Sequence, residues 1–107
     1  MISVTHFAAA DDAFEQRAQA ALRALAARPG YLSGRVGRST DDAGCWVLVS
    51  EWENVGSYRR ALGNYDVKVH AAPLLAEALD VPSAFEALLE AAPGGEVIRH
   101  ASDLDLE

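Results

Sequence analysis

The sequence is short of cysteine and contains no long apolar run. Its one cysteine cannot form an internal disulfide, and we predict that Cys45, in an apolar stretch, is a small buried residue rather than a nucleophile. No run of about 20 apolar residues could cross a bilayer as a helix. The start "MISVTHFAAADD" lacks the basic residues and apolar core of a signal peptide. These absences predict a cytoplasmic protein.

Basic residues are also scarce. Nine lysines and arginines face 16 aspartates and glutamates, for a net charge of -7. This charge repels nucleic-acid phosphates and anionic lipid headgroups, so neither nucleic acid nor a membrane surface is an expected partner. The three histidines form no HxxxH or HExxH motif and join no carboxylate cluster at ligand spacing, so no metal site is predicted.

The apolar residues that are present predict one domain with alternating strands and helices. Half of the 107 residues are hydrophobic, which suffices for a single core. β-branched alternation predicts a first strand over residues 2–7, and apolar residues at helical spacing predict a helix over 12–27, capped by Asp12 with Glu15 and stopped by "RPG". A hairpin of strands 31–39 and 45–52 follows, with bends expected at Gly34 and Gly37.

The second half is less regular. A helix is predicted over residues 55–62, then a break at Gly63 and a helical piece that Asp66 caps and that holds Pro73 in its first turn or at a kink. Residues 83–91 have a helical composition but the length of a strand. Residues 96–100 could form a short edge strand, and the acidic end of the tail is expected to be mobile.

The order of these elements predicts an α+β fold of the ferredoxin-like βαββαβ type, with helices on one face of an antiparallel sheet. The strand 45–52 is apolar on both faces: Cys45, Val47 and Val49 lie on one side, and Trp46, Leu48 and Trp52 on the other. The face without helices therefore needs another cover. We predict that a second copy of the chain supplies it, in an obligate homodimer.

The chain resembles the antibiotic biosynthesis monooxygenase family of the dimeric α+β barrel superfamily. The resemblance rests on the first helix ending in "RPGY", the hairpin leading to "VLVSEWENVGSYRRAL", and a histidine on the next helical piece at His70. It covers residues 2–91 and implies a domain over 1–92, with a tail over 93–107. It also implies that residues 83–91 form the fourth strand, and that a pocket lies between the sheet and the helices.

Two branches of that family imply different chemistry. One branch comprises cofactor-independent oxygenases of electron-rich phenols or quinols, so no cofactor is expected. The haem-degrading branch uses an asparagine, a helix tryptophan and a histidine, and these positions fall on His6, Ala61 and His70. Only the histidine is retained, so haem degradation is not expected.

His70 is the candidate catalytic base, because an ordinary histidine pKa of about 6.5 suits proton removal from a phenol. The alternative is a half-buried histidine on an amphipathic helix. Trp52, Tyr65 and His6 are candidate lining residues for a hydrophobic or aromatic small molecule, although aromatic residues at helical spacing more often belong to a core. Asn64 could orient a substrate oxygen or occupy the helix break, whereas Asn54 is expected to cap a helix.

Two functions remain open from the sequence. One is a cofactor-independent monooxygenase that oxidises a phenolic or quinol-type substrate, with His70 as base. The other is a non-catalytic dimer of the same fold that binds a small molecule or assists another enzyme. A His70 that faces a cavity with polar neighbours would favour the first, and a His70 plugged by Tyr58, Leu62 and Leu74 would favour the second.

Overall fold

The computed structural model describes residues 1–8 and 11–102, which contain a four-stranded antiparallel sheet. The strands follow the order β2-β3-β1-β4. They are β1 (Ile2–Ala8), β2 (Tyr31–Arg38), β3 (Cys45–Trp52) and β4 (Ala84–Phe85). The predicted ferredoxin-like α+β fold is confirmed. Alternation of β-branched and polar residues placed β1 correctly, and the apolar run over residues 45–52 placed β3 correctly.

The helices are α1 (Phe14–Ala26), α2 (Val55–Leu62), α3 (Tyr65–His70) and α4 (Ala72–Leu75). The predicted cap of α1 is wrong, because the helix begins after Ala13 and no side chain bonds its first amides. Asp12 lies one residue too early, in the turn before the helix. Pro73 lies in the first turn of α4, as predicted, where its missing N–H leaves no helical bond unmade.

The C-terminal part of the sheet is much shorter than predicted. Only Ala84 and Phe85 pair with β1, opposite Ser3 and Ile2. The fourth strand that the resemblance implied over residues 83–91 is present, but it is limited to these two residues; pairing with the free edge of β1 overrides the helical preference of the segment. Further on, β5 (Leu89–Glu90) pairs with β6 (Ile98–Arg99) in a separate hairpin. The predicted edge strand over 96–100 therefore exists, but it does not join the main sheet.

The core lies between the helices and the face of the sheet that carries Phe7, Leu48 and Trp52. All three side chains are buried. They belong to one cluster with buried residues of the helices. From α1 these are Phe14, Ala18, Ala21 and Leu25, and from α2, α3 and the chain that follows them Ala61, Val67, Ala71 and Leu74.

Gly34 is a packing requirement of β2 rather than a bend. A Cβ there would lie 2.4 Å from the Tyr31 hydroxyl and 2.8 Å from a methyl of Leu22, so a larger residue would force these side chains to move. The irregularity of the strand lies between Tyr31 and Ser33. The irregularity therefore lies a few residues before the predicted bend at Gly34. Gly34 instead leaves space for Leu22 of α1 to pack closely against the strand.

In the part of the chain that the structure describes, no helix covers the opposite face of the sheet. Ile2, Val4, Val47 and Val49 are only partly buried there. Cys45, on the same face, is exposed, so its predicted burial is wrong: it is the first residue of β3, beside the hairpin turn. Its thiol donates a hydrogen bond to Asp42, and that bond raises the pKa of Cys45. Among the described residues, no helix is long and apolar enough to cross a membrane.

Candidate functional site

Trp52 anchors a chain of polar groups inside the apolar core. Its indole Nε1 donates a hydrogen bond of 2.8 Å to the Ser50 hydroxyl, two residues earlier on the same face of β3. Ser50 in turn hydrogen-bonds Ser3, its partner across the β1–β3 pair. Tyr58, on α2, packs its ring against Trp52; burial raises the pKa of its phenol, and the Ser3 hydroxyl acts to lower it. We call Ser3, Ser50, Trp52 and Tyr58 the hydroxyl-indole cluster.

Aromatic rings enclose this cluster. The Trp52 ring meets Tyr31 edge-on at 5.3 Å between centroids and Tyr58 at 5.6 Å. Burial raises the pKa values of both tyrosines, so both phenols are neutral at pH 7. Ser3, Ser50 and Trp52 are almost fully buried, whereas Tyr58 is half-buried. The cluster therefore offers neutral hydrogen-bond donors in an apolar setting, and Tyr58 is its most exposed member.

His6 does not join the cluster. Ser3, which belongs to the cluster, points toward the helices, and side chains alternate along a strand, so His6 lies with Ile2 and Val4 on the opposite face. His6 is exposed and lines a cavity of about 300 Å³ with Cys45 and Val47. Ser3 lies on the same face of the sheet as Trp52, and His6 is an odd number of residues after Ser3. The two predicted lining residues Trp52 and His6 therefore lie on opposite sides of the sheet.

His70 and Tyr65 lie at the two ends of the short helix α3 and are both exposed. Tyr65 is 77% exposed and is not among the described residues that line the cavity of about 450 Å³ beside Trp52. Val67 is the residue of α3 that enters the core. His70 is neither the half-buried histidine of the alternative interpretation nor a residue plugged by apolar neighbours. The structure does not bring His70, Tyr65 and Trp52 together.

The two asparagines both cap helices. Asn54 accepts a hydrogen bond of 2.8 Å from the Ser57 amide at the start of α2, as predicted. Asn64 accepts bonds from the amides of Asp66 and Val67 at the start of α3, a role that the sequence interpretation gave to Asp66. The Asn64 side-chain oxygen is therefore occupied, while the residue also borders a cavity next to Arg28 and Arg60.

A larger cavity of about 450 Å³ lies at the end of the sheet, beneath the C-terminal hairpin. Ile2, Leu32 and Trp52 contribute apolar surface to it. His100 also lines it, and its Nε2 lies 3.0 Å from a carboxylate oxygen of Glu90. The pairing of β5 with β6 brings these two side chains together from positions ten residues apart in the chain.

Sequence reasoning missed Ser3, Ser50, Glu90 and His100. Serines in strands carry no motif, and only the pairing register reveals that Ser3 faces Ser50. The signal that was available is that Ser3 and Ser50 occupy strand positions that face the core. Burying a serine hydroxyl in a core is costly unless it is hydrogen-bonded, so two such serines are expected to bond each other. Among the described residues, no group of three or more histidines, cysteines or carboxylates is arranged to hold a metal ion.

Comparisons with known proteins agree with the fold. A sequence model of the antibiotic biosynthesis monooxygenase family matches residues 1–72. SnoaB, a cofactor-independent oxygenase from Streptomyces nogalater, is 25% identical with a TM-score of 0.66, over 80% of this chain and 90% of SnoaB. Rv0793 from Mycobacterium tuberculosis is 21% identical with a TM-score of 0.67, over 85% of this chain and 97% of that protein. No curated protein matches the chain.

Proposed function

This chain belongs to the antibiotic biosynthesis monooxygenase family, and from that premise we propose that it is a cofactor-independent monooxygenase of a phenolic or quinol-type aromatic substrate. The observation that carries the proposal is the hydroxyl-indole cluster. It places neutral O–H and N–H donors beside aromatic rings on the face of the sheet that the helices cover. The likeness to SnoaB, a cofactor-independent oxygenase, supports the same chemistry.

The proposed reaction needs no reductant, because the substrate supplies all the electrons. An anthrone carries a CH₂ group activated by its aromatic carbonyl, and removal of one proton gives an electron-rich enolate. The enolate transfers an electron to O₂, and recombination forms a C–O bond. Loss of water then leaves a new carbonyl. One oxygen atom enters the product, and the other leaves as water with both hydrogens of the CH₂ group.

The protein would contribute binding and charge stabilisation. Tyr58 is the half-buried member of the cluster, so its neutral hydroxyl is the donor that a bound oxyanion reaches first. Ser3, which is itself held by its hydrogen bond to Ser50, would orient that hydroxyl. Donors that are fixed before the reaction need no reorganisation when charge develops, which lowers the barrier.

We propose His70 as the base, on the family resemblance. Its imidazole is exposed on the last turn of α3. A substrate that His70 deprotonates must therefore reach from the interior to the surface end of α3. In this arrangement Asn64, Tyr65 and Trp52 remain proposed contacts along the substrate, while His6 would serve the opposite face of the sheet.

We also propose a homodimer and a domain that ends near residue 92. The partly buried valines of the open sheet face support a second copy there, since apolar surface of this kind is usually covered. The C-terminal hairpin also exposes large apolar side chains, among them Leu89 and Val97 at 65% and 68%. Static light scattering at micromolar concentration tests the homodimer, and a monomer mass would contradict it.

Oxygen consumption with anthrone and a hydroquinone tests the enzymatic proposal. We expect the wild type to consume oxygen, His70→Ala to lose most of the rate, and Tyr58→Phe to lose about tenfold or more because it removes one oxyanion donor. Arg59→Ala, an exposed change on α2, is the matched control and should keep the wild-type rate. Equal rates with and without His70 would exclude that residue as the base, and no rate in any protein would contradict the proposal.

A second candidate is a dimer of the same fold that binds an aromatic small molecule without turnover. One observation favours it: the proposed base lies outside the cluster, on an exposed helix end. Saturable quenching of tryptophan fluorescence by an anthrone, without oxygen consumption, would identify this function.

A further inference from the structure

Two arginines border a cavity of about 280 Å³ whose lining contains no member of the hydroxyl-indole cluster. Arg28 comes from the turn after α1, and Arg60 from α2. The described residues that line this cavity include no carboxylate. In a chain with a net charge of -7, a pocket with this charge is unexpected. We call it the arginine cavity.

The two arginines are not committed to other charges. Within residues 1–8 and 11–102, the arginine that forms salt bridges is Arg17, and neither Arg28 nor Arg60 takes part in one. The Nε atom of Arg28 is buried and has no hydrogen-bond partner in the part of the chain described. A buried donor without a partner is uncommon in folded proteins, so the Arg28 guanidinium still has the capacity to donate to an acceptor.

The wall of the cavity is built by a close contact between two elements. Gly30 has a φ of +85°, and a Cβ at that position would lie 2.3 Å from the Ser57 hydroxyl oxygen. The turn 28–30 can therefore rest directly on α2 only because residue 30 is glycine. Ser57 also accepts a hydrogen bond of 3.3 Å from Arg60, which holds that guanidinium beside the turn.

The remaining lining indicates the class of ligand. Pro29 and Ala61 add apolar surface next to the guanidinium groups. A guanidinium matches the planar fork of a carboxylate, and apolar surface favours a hydrocarbon body attached to it. A tetrahedral inorganic anion would use only the charges.

We propose that the arginine cavity binds the carboxylate of a small organic acid, with Arg28 and Arg60 contacting the carboxylate and Pro29 with Ala61 contacting the hydrocarbon part. This site is separate from the hydroxyl-indole cluster. It does not depend on oxygenase activity.

Titration of ¹⁵N-labelled protein with sodium benzoate, followed by ¹H–¹⁵N correlation spectra, tests the proposal. We expect saturable shifts of the Ser57, Ala61 and Gly63 amides. Benzamide has the same shape without the charge and should produce no saturable shift. Because this comparison uses the wild-type protein, it does not depend on the folding of any variant.

Variants locate the binding groups. Arg28→Gln and Arg60→Gln should each weaken benzoate binding by about 10-fold or more, as expected for loss of a charge-assisted hydrogen bond. Arg59→Gln, on the same helix but outside the cavity lining, should stay within about twofold of the wild type, which is the scatter expected of an exposed substitution. Equal weakening by Arg59→Gln would mean general charge attraction and would overturn the proposal.

The chemical class has its own control. Inorganic phosphate at the same concentration should bind more weakly than benzoate, because it gains nothing from the apolar wall. Stronger binding of phosphate would overturn the carboxylate assignment, and benzamide binding equal to that of benzoate would overturn the role of the arginines. The absence of any saturable shift with benzoate would overturn the site itself.

Discussion

Gly30→Ala is expected to destabilise the protein strongly, because the added methyl group causes both backbone strain and a steric clash. The backbone at residue 30 has a φ of +85°, a conformation that costs a residue with a Cβ about 1–2 kcal/mol. The new methyl would also lie 2.3 Å from the Ser57 hydroxyl oxygen and 2.4 Å from its Cβ. Overpacking of this kind typically costs about 1–3 kcal/mol. Together the expected loss of unfolding free energy is about 2–5 kcal/mol.

Gly94→Ala is the matched control. Gly94 also has a positive φ, of +70°, but a Cβ there would meet nothing within 4 Å. Only the backbone cost remains, so the expected loss is at most about 1–2 kcal/mol. Urea denaturation measures both variants, with the m value checked for each so that a change in midpoint reports stability.

A second variant separates the two costs. Gly30→Ala combined with Ser57→Gly removes both atoms that the methyl would strike, and should recover part of the loss despite the helix cost of glycine at residue 57, about 1 kcal/mol. Equal destabilisation by Gly30→Ala and Gly94→Ala would refute the close contact between the turn and α2. It would also remove the wall proposed for the arginine cavity.

Three other results are expected. Trp52→Ala should cost about 3–5 kcal/mol of unfolding free energy in denaturant titration, and Trp46→Ala on the same strand face should cost less because Trp46 is only half-buried. Burial raises the pKa of Tyr58, so the unfolded chain loses that proton first; stability should fall as the pH rises above about 10. Tyr58→Phe should make this fall shallower, and an unchanged pH profile would contradict the burial effect. Val49→Asp places a charge in the proposed dimer interface, so the mass measured by light scattering should fall from that of a dimer to that of a monomer. Val69→Asp, on the exposed side of α3, should leave the mass unchanged.

The regular parts of the fold were predictable from the sequence because their patterns are local. β1, β3 and α2 were predicted within a residue or so of their bounds, since alternation and helical spacing record which side of each element is buried. The start of α1 was missed because the capping motif depends on only two residues, Asp12 and Glu15. The helix instead begins after Ala13 without a side-chain cap. Residues 83–91 were ambiguous because a two-residue pairing with β1 left almost no local trace.

The candidate site was less predictable because it depends on register. Trp52 was recognised as important from its size and position, but its hydrogen-bond partner Ser50 and the contact from Ser50 to Ser3 appear only when β1 and β3 are paired. His6 was placed with Trp52 although strand parity puts the two on opposite faces. The caps at Asn54 and Asn64 follow local rules, and the cap at Asn54 was predicted correctly.

The unused arginines show a different limit of sequence reasoning. Arg28 was interpreted as part of the helix stop "RPG", and Arg60 only as one residue of the predicted helix 55–62. Neither assignment anticipates that the turn folds back onto α2 through Gly30 and Ser57. That contact joins segments almost 30 residues apart in the chain, so no local pattern records it.

The measurement that tests the proposed function most directly is the reaction of anthrone with ¹⁸O₂ in the presence of purified protein and a metal chelator, analysed by mass spectrometry. The account predicts protein-dependent formation of a quinone that carries one ¹⁸O atom, with the other atom in water. A product that takes its oxygen from solvent, or a rate no higher than that of the buffer alone, would contradict it.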